Sequence, residues 1–382
     1  SALENGGNID AIYMDFMKAF DTVPHCRLLL KVEAVGIQGH IHRWIKAFLN
    51  GRQQRVVVNE QQSEWSPVIS GIPQGSVLGP LLFLIYVNDL PDSIGSGIKL
   101  FADDTKLYAR CDSMVEAQNL QNDLDKLQEW AKKWQLKFHP DKCIVLKIGK
   151  SPSSHGYYME NNDVRVFLKQ VDVERDLGVL LDAKLSFKDQ ISNVVSKANK
   201  ILCLIRRSFV IIDEETLKLL FKGLIRPILE YSQSAWSPYR LGDQRRLETV
   251  QRRATKMVPS LKNLSYPQRL RKLKLPSLVH RRRRGDMIEV YKYLHDLYNA
   301  GAEFLHLHRG ERTRGHSLKL EKSFTRLDVR KFFFSHRVVD SWNDLPEEVV
   351  SAPSVNSFKN RLDKHWKNLP TVFDPEGERN SN

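Results

Sequence analysis

Phe101-Ala102-Asp103-Asp104 lies between Ile98-Lys99-Leu100 and Thr105-Lys106-Leu107-Tyr108. Both flanks alternate as strands do, so the four residues are read as the tip of a hairpin carrying two adjacent carboxylates. Neighbouring like charges disfavour joint ionisation, and a cation relieves that cost. Carboxylate oxygens suit hard divalent ions such as Mg²⁺ or Mn²⁺. Taken alone, the tetrapeptide reads as a solvated Asp-Asp turn. A third carboxylate upstream changes the balance.

Asp15 ends the short, largely apolar run Ile9-Asp10-Ala11-Ile12-Tyr13-Met14. This predicts a buried strand with an acid at its carboxyl end. Met17-Lys18-Ala19-Phe20-Asp21-Thr22-Val23-Pro24-His25 then turns towards a helix. Three carboxylates on adjacent strand ends suit two ions about 3.5–4 Å apart, the arrangement that clamps attacking and leaving oxygens in phosphoryl transfer. A lone Asp15 would read as a helix-capping acid; the set of three reads as a site.

Around this core, five segments follow one another in order. Asp15–Asp21 resembles motif A of reverse transcriptases, and Ser70-Gly71-Ile72-Pro73-Gln74-Gly75-Ser76-Val77-Leu78-Gly79-Pro80 resembles motif B. Phe101–Asp104 resembles motif C. Trp134–Cys143, with Pro140-Asp141-Lys142, resembles motif D, and Asp176-Leu177-Gly178-Val179-Leu180-Leu181-Asp182 resembles motif E, the primer grip. The likeness is to reverse transcriptases of animal non-LTR (LINE-type, jockey-like) retrotransposons. It extends to the tail, Phe334-Ser335-His336-Arg337 through Trp342-Asn343-Asp344-Leu345-Pro346.

The resemblance implies an RNA-directed DNA polymerase that transfers a nucleotide from a dNTP to a primer 3′-hydroxyl with two Mg²⁺ (or Mn²⁺) ions, in target-primed reverse transcription. Asp15, Asp103 and Asp104 would be the metal ligands and Lys142 the acid facing the departing pyrophosphate. Phe16, Lys18, Ala19, Phe20, Gln74 and Gly75 would contact the dNTP. Phe20 matches the residue that excludes a ribose 2′-hydroxyl, though as a bare sequence feature it is equally a core phenylalanine. Leu177 and Gly178 would form the primer grip. His139 stands where the family more often has Asn, and Met17 where it has a small polar residue. The implied partners are template RNA, primer or target DNA, and dNTPs. Fingers and endonuclease domains of one polyprotein would lie upstream. The alternative is an incompetent nucleic-acid-binding remnant of such an element.

Composition agrees with a large globular chain of 382 residues, 41% of them hydrophobic. No stretch approaches the roughly 18–20 apolar residues of a membrane span. Cys26, Cys111, Cys143 and Cys203 are scattered, which argues against a zinc site or a disulfide framework. An intracellular location, nucleus and cytoplasm, is expected. Residues 1–150 are neutral, with 17 basic against 17 acidic, so residues 151–382 carry the whole excess of +14. Between Arg240 and Gly285, Arg245, Arg246, Arg252, Arg253 and Arg281, Arg282, Arg283, Arg284 face only Asp243 and Glu248. Such a stripe is read as a phosphate-backbone footprint, against the plainer reading of a solvated helix face. The four consecutive arginines also suit a nuclear localisation signal.

Helices are predicted over 26–35, 38–50, 77–90, 113–134, 187–208 and 213–231. Strands are predicted over 52–59, 64–70, 135–138 and 143–148, with a loop and short hairpin over 151–163. The fold class is α+β, a polymerase palm followed by a helical thumb and a basic, mostly helical C-terminal region. The expected domains are 1–170 (palm, with fingers largely missing), 171–239 (primer grip and thumb) and 240–382.

Overall fold

Ile9–Met14 (β1) holds Ala11, Ile12 and Met14 at 4% exposure or less, so it needs neighbours on both edges and cover on both faces. It finds them in a mixed sheet. The computed structural model describes residues 3–150, 153–161, 164–298, 304–308 and 315–377. The chain divides into two compact units, Ser1–Glu174 and Arg175–Asn382.

After β1 the first unit continues with Ala19–Thr22 (α1), His25–Ala34 (α2) and Gly39–Leu49 (α3). Two short ladders follow: Gln53–Gln54 (β2) with Ser66–Pro67 (β5), enclosing Val57–Val58 (β3) with Gln61–Gln62 (β4). Then come Leu78–Val87 (α4), Gly97–Phe101 (β6), Asp104–Arg110 (β7), Met114–Trp134 (α5) and Ile144–Ile148 (β8). Tyr158–Asn161 (β9) pairs with Val164–Phe167 (β10), and Lys169–Val171 (β11) completes the sheet. The expected loop positions 151–152 and the hairpin turn 162–163 lie outside the described residues.

The sheet order is β11-β8-β1-β7-β6, with β11 parallel to β8 and the other neighbours antiparallel. Helices α2, α4 and α5 supply Leu28, Val32, Leu82, Phe83, Leu120, Leu124 and Leu127 to the core under Ile12 and Met14. Helix α5 begins at a capping box, with Ser113 and Glu116 satisfying each other's backbone N–H. It ends where Gln135 turns left-handed. That cap and the turn headed by Pro140 leave too little extended chain for the strand expected at 135–138. Only an isolated bridge, Phe16 to Phe138, forms there.

Lys31 of α2 is enclosed by aromatic rings. Its Nζ lies 3.7 Å from the Trp134 ring centre, 4.6 Å from Trp130 and 5.1 Å from Tyr86. It pairs with Asp89 and donates to the Tyr86 carbonyl at 2.6 Å. Burial lowers its pKa against the pull of Asp89. Nothing in the sequence marked it out.

The boundary between the units falls within Val173–Asp176 (β12), which pairs with Val179–Asp182 (β13); Lys188–Ser208 (α6) follows. The helix expected over 213–231 is Glu214–Leu220 (α7) and Arg226–Glu230 (α8), joined by a π turn at Phe221–Ile225. Pro227, at the start of α8, has no N–H to give the preceding turn. Gln233–Trp236 (α9), Leu241–Thr255 (α10), Tyr266–Leu273 (α11) and Leu278–Leu294 (α12) follow. The remaining helices are Asp328–Lys331 (α13), Phe334–Arg337 (α14), Val339–Asn343 (α15), Glu347–Val350 (α16) and Val355–His365 (α17).

Residue 240 does not begin a core of its own. Leu247, Val250 and Ala254 of α10 are buried in one cluster with Ile191, Val194 and Ala198 of α6. A separate cluster, from Met287 to Trp366, forms around Trp342 and Phe358.

Candidate active site and nucleic-acid surface

The sheet register places the acids. Met14 of β1 pairs with Thr105 of β7, so Asp15 and Asp104 follow at neighbouring strand ends. Phe101 pairs with Asp104, which leaves Ala102 and Asp103 as a two-residue turn. Ala102 takes φ 52°, unusual for a residue with a Cβ; strain of this kind gathers at functional turns. Asp15, Asp103 and Asp104 thus share one end of the sheet.

Lys142 comes to the same end. The His139 N–H donates to the Asp15 carbonyl at 2.9 Å, and the Met17 N–H donates to the Lys137 carbonyl at 2.7 Å. These bonds run the motif D segment alongside the exit of β1. A single turn at Pro140–Lys142 then brings Lys142 Nζ within 3.0 Å of Asp15 Oδ2. His139 therefore does not disturb the loop, because its backbone makes the bond. Close by, burial pushes the Cys143 thiol up to about 11, so it is an inert apolar group.

The expected dNTP-binding residues divide. Phe16 is 3% exposed and stacks on Phe138 with ring centres 4.3 Å apart, so only its backbone can meet a ligand. Phe20 is half-buried and stacks on Phe83 of α4 at 4.5 Å. Lys18 is exposed and left-handed at φ 48°, turning the chain so that its carbonyl caps Asp21 and Thr22. Ala19 is buried. Gln74 and Gly75 are exposed, and Gln74 Nε2 donates to Asp21 Oδ1 at 2.8 Å.

Motifs A and B are stitched together here. The Gly71 N–H donates to the Val23 carbonyl and the Ile72 N–H to the Phe20 carbonyl, at 2.8 and 2.7 Å. Gly71 has φ +87°, and a Cβ there would stand 2.7 Å from the Asp21 carbonyl oxygen. Only glycine fits.

The hard oxygen donors Asp15, Asp103 and Asp104 suit a divalent cation by chemistry and by their shared sheet end. They do not form a closed cage: among the described residues no group of three His, Cys, Asp or Glu side chains is gathered closely enough to hold an ion. Asp15 instead has the Lys142 ammonium as its counter-ion.

In the second unit, Leu177 and Gly178 form the β12–β13 turn at φ 44° and 84°. Tyr231 Oη donates to the Leu177 carbonyl at 3.0 Å and backs the turn.

The expected arginine stripe splits in two. On α10, Arg245, Arg246, Arg252 and Arg253 are exposed, and Arg246 and Arg253 reach Ser192 and Asn199 of α6 at 2.9 and 3.3 Å. On α12 the four consecutive arginines are absorbed by the fold. Arg281 grips the Glu230 carboxylate through both arms, and Arg284 does the same to Asp363. Arg283 Nε donates to Ser341 Oγ at 3.0 Å. Arg282 is 5% exposed, between Glu248, Asp286 and Glu230. This corrects the phosphate assignment for Arg281–Arg284: helical periodicity sends four adjacent residues in four directions, and α12 is packed on most sides.

Sequence reading also missed Arg337. Its Nε and Nη2 hold both oxygens of Asp286 at 2.9 Å, and Nη2 caps the Ser234 carbonyl at 2.8 Å. Arg337 belongs to the quoted tail segment, which was the available signal. Among the described residues no helix is long and apolar enough to cross a membrane.

The family described as reverse transcriptase (RNA-dependent DNA polymerase) matches residues 2–171. The RNA-directed DNA polymerase from mobile element jockey of Drosophila melanogaster is 29% identical over 245 residues, covering 60% of this chain and 26% of that protein. The corresponding Drosophila funebris protein is 28% identical over 316 residues, covering 77% and 33%. The chain thus spans about a quarter to a third of the length of these relatives. Among solved structures, a Candida albicans telomerase in complex with a telomeric RNA fragment superposes with a TM-score of 0.36 at 12% identity, over 97% of this chain and 48% of that one.

Proposed function

We propose, since residues 2–171 carry a reverse transcriptase domain of the LINE type, that this chain belongs to an RNA-directed DNA polymerase that extends a DNA primer on an RNA template. The reading rests on one observation above all: Asp15, Asp103, Asp104 and Lys142, far apart in sequence, share one end of the sheet, with Lys142 and Asp15 in contact at 3.0 Å.

Asp15, Asp103 and Asp104 would hold the divalent ions, which when bound lower the pKa of the attacking hydroxyl and offset phosphate charge. The remaining work is positioning and electrostatics by the chain. Lys142, whose Nζ lies 3.0 Å from the Asp15 carboxylate, is assigned as the acid that faces the departing pyrophosphate. Phe20, backed by Phe83, offers a rigid edge against a ribose 2′-hydroxyl. Gln74 is held by Asp21 at the mouth of the site, and the Lys18 turn presents backbone towards the triphosphate. Leu177 and Gly178 are assigned to the primer strand, and Arg246, Arg252 and Arg253 to phosphates of the template–primer.

In the complete protein, fingers and endonuclease domains, target-primed synthesis and a nuclear phase complete the reading. Primer extension on poly(rA)/oligo(dT), run with this chain and with a longer protein containing it, tests the proposal. Mg²⁺-dependent dNTP incorporation by at least the longer protein is expected. Incorporation by neither would overturn it.

A further inference from the structure

Helix α10 borders a cleft of about 230 Å³ in the second unit. Gln244, Arg245, Thr249 and Arg252 line one wall, and Pro375 and Glu376 line the other. The cations of this lining are Arg245 and Arg252, two turns apart on one helix face. The Gln244 amide and the Thr249 hydroxyl donate to the carbonyls of Pro238 and Arg245. Glu248 borders the cleft too, but its carboxylate accepts from Tyr266 Oη at 2.5 Å and from the Leu278 N–H at 3.0 Å. The two guanidinium groups are therefore what the cleft offers a ligand, and their chemistry selects an oxyanion, above all a phosphate.

One such oxyanion comes from the chain itself. Glu376 Oε1 lies 3.0 Å from Arg245 Nε. Its delivery is built in. The Ser277 N–H and Oγ hold the carbonyls of Val372 and Thr371 at 2.7 and 2.6 Å, and Phe373 packs against the core. The chain then reverses around Asp374, whose Oδ1 accepts the Glu376 N–H at 3.0 Å. Up to Phe373 the segment is anchored; beyond it, the turn presents a carboxylate to Arg245. Arg245 and Glu376 are 63% and 43% exposed at the side chain. An ion pair that open contributes at most about 1 kcal/mol and is screened by salt, so a polyanion displaces it readily.

We propose that this cleft is a binding site for a backbone phosphate of nucleic acid, and that Glu376 occupies it as an internal competitor. The inference rests on the nucleic-acid-binding reading of α10. It adds a regulatory element: the segment after Phe373 lowers affinity until template–primer arrives.

The test compares the chain with Glu376→Gln, measuring binding of an RNA–DNA duplex oligonucleotide across a salt series. Freeing Arg245 raises affinity about two- to fivefold. The slope of log affinity against log salt stays near that of the parent, because once Glu376 is displaced both proteins neutralise the same phosphates. Arg245→Ala in the Glu376→Gln background abolishes the gain in affinity. Glu348→Gln, the same change of charge on an exposed acid of α16, does not reproduce it. An unchanged affinity in Glu376→Gln, or a gain that survives Arg245→Ala, overturns the latch while leaving the binding surface standing. Absence of salt-dependent binding by the parent chain overturns the α10 reading and the proposal with it. Loss of the gain in a few millimolar inorganic phosphate at matched ionic strength overturns the nucleic-acid assignment in favour of a free phosphate.

Discussion

Asp103 sits on a turn whose preceding residue, Ala102, is held at positive φ. A side chain fixed in this way serves placement rather than stability. Asp103→Asn keeps its shape and removes its charge. Primer extension by the complete enzyme should fall about a thousandfold or more, with duplex binding retained; extension near the parent rate would end the metal-ligand assignment. Phe20 poses a different question, because its ring already has a partner in Phe83. Phe20→Val should admit ribonucleotides while changing dNTP use less, and unchanged sugar discrimination would make Phe20 a packing residue only. Lys31 is the structural counterpart. Lys31→Met retains the stem but leaves Asp89 with only the Trp130 N–H, at 3.1 Å, and strips the aromatic rings of their cation. A loss of about 1–2 kcal/mol is expected in urea denaturation, with part of it recovered when Asp89→Asn is added.

At the level of elements, helix α12 shows how a charge run is consumed by packing. Its arginines take Glu230, Asp363 and Ser341 as partners, and His280 on the same helix is 5% exposed beside Trp366. Burial pulls the His280 pKa down to about 4; Asp363 opposes the shift, and Arg281, Arg283 and Arg284 reinforce it. A base depressed in the folded state binds its proton more readily when unfolded. Its contribution is therefore present above pH 6.5 and is lost as pH falls towards 4, by up to about 3 kcal/mol. Unfolding midpoints of the chain should drop across that window, and His280→Gln should flatten the drop. A profile identical in both proteins would remove His280 as its source.

For the molecule as a whole, the +14 excess lies beyond residue 150, but net charge does not say which cations are available. The two arginine groups should behave oppositely. Replacing Arg246, Arg252 and Arg253 with alanine should flatten the salt dependence of nucleic-acid binding by about one unit for each phosphate no longer neutralised. Replacing Arg281 and Arg284 should leave that slope in place and lower the thermal midpoint, because Asp363 loses the guanidinium that holds both its oxygens and Glu230 keeps only Arg226, at 3.9 Å. A slope that responds to the second pair as strongly as to the first set would restore the continuous stripe.

The places of Asp15, Asp103 and Asp104 in the sheet were legible because strand alternation and turn composition are local: an acid at the end of an apolar strand and a pair at a hairpin tip announce themselves within ten residues. The helix 113–134, with its capping box, was legible for the same reason, and so was α+β as a class. What the sequence left open depends on which residues meet across long separations. The pairing of Met14 with Thr105, the contact of Lys142 with Asp15, the cage around Lys31 and the grip of Arg337 on Asp286 are set by sheet register and helix packing. The strand missing at 135–138, the shared core across residue 240 and the fate of Arg281–Arg284 have the same origin. Local periodicity fixes what an element is. Only the tertiary structure decides which of its faces is covered, and therefore which charges remain to act on a ligand.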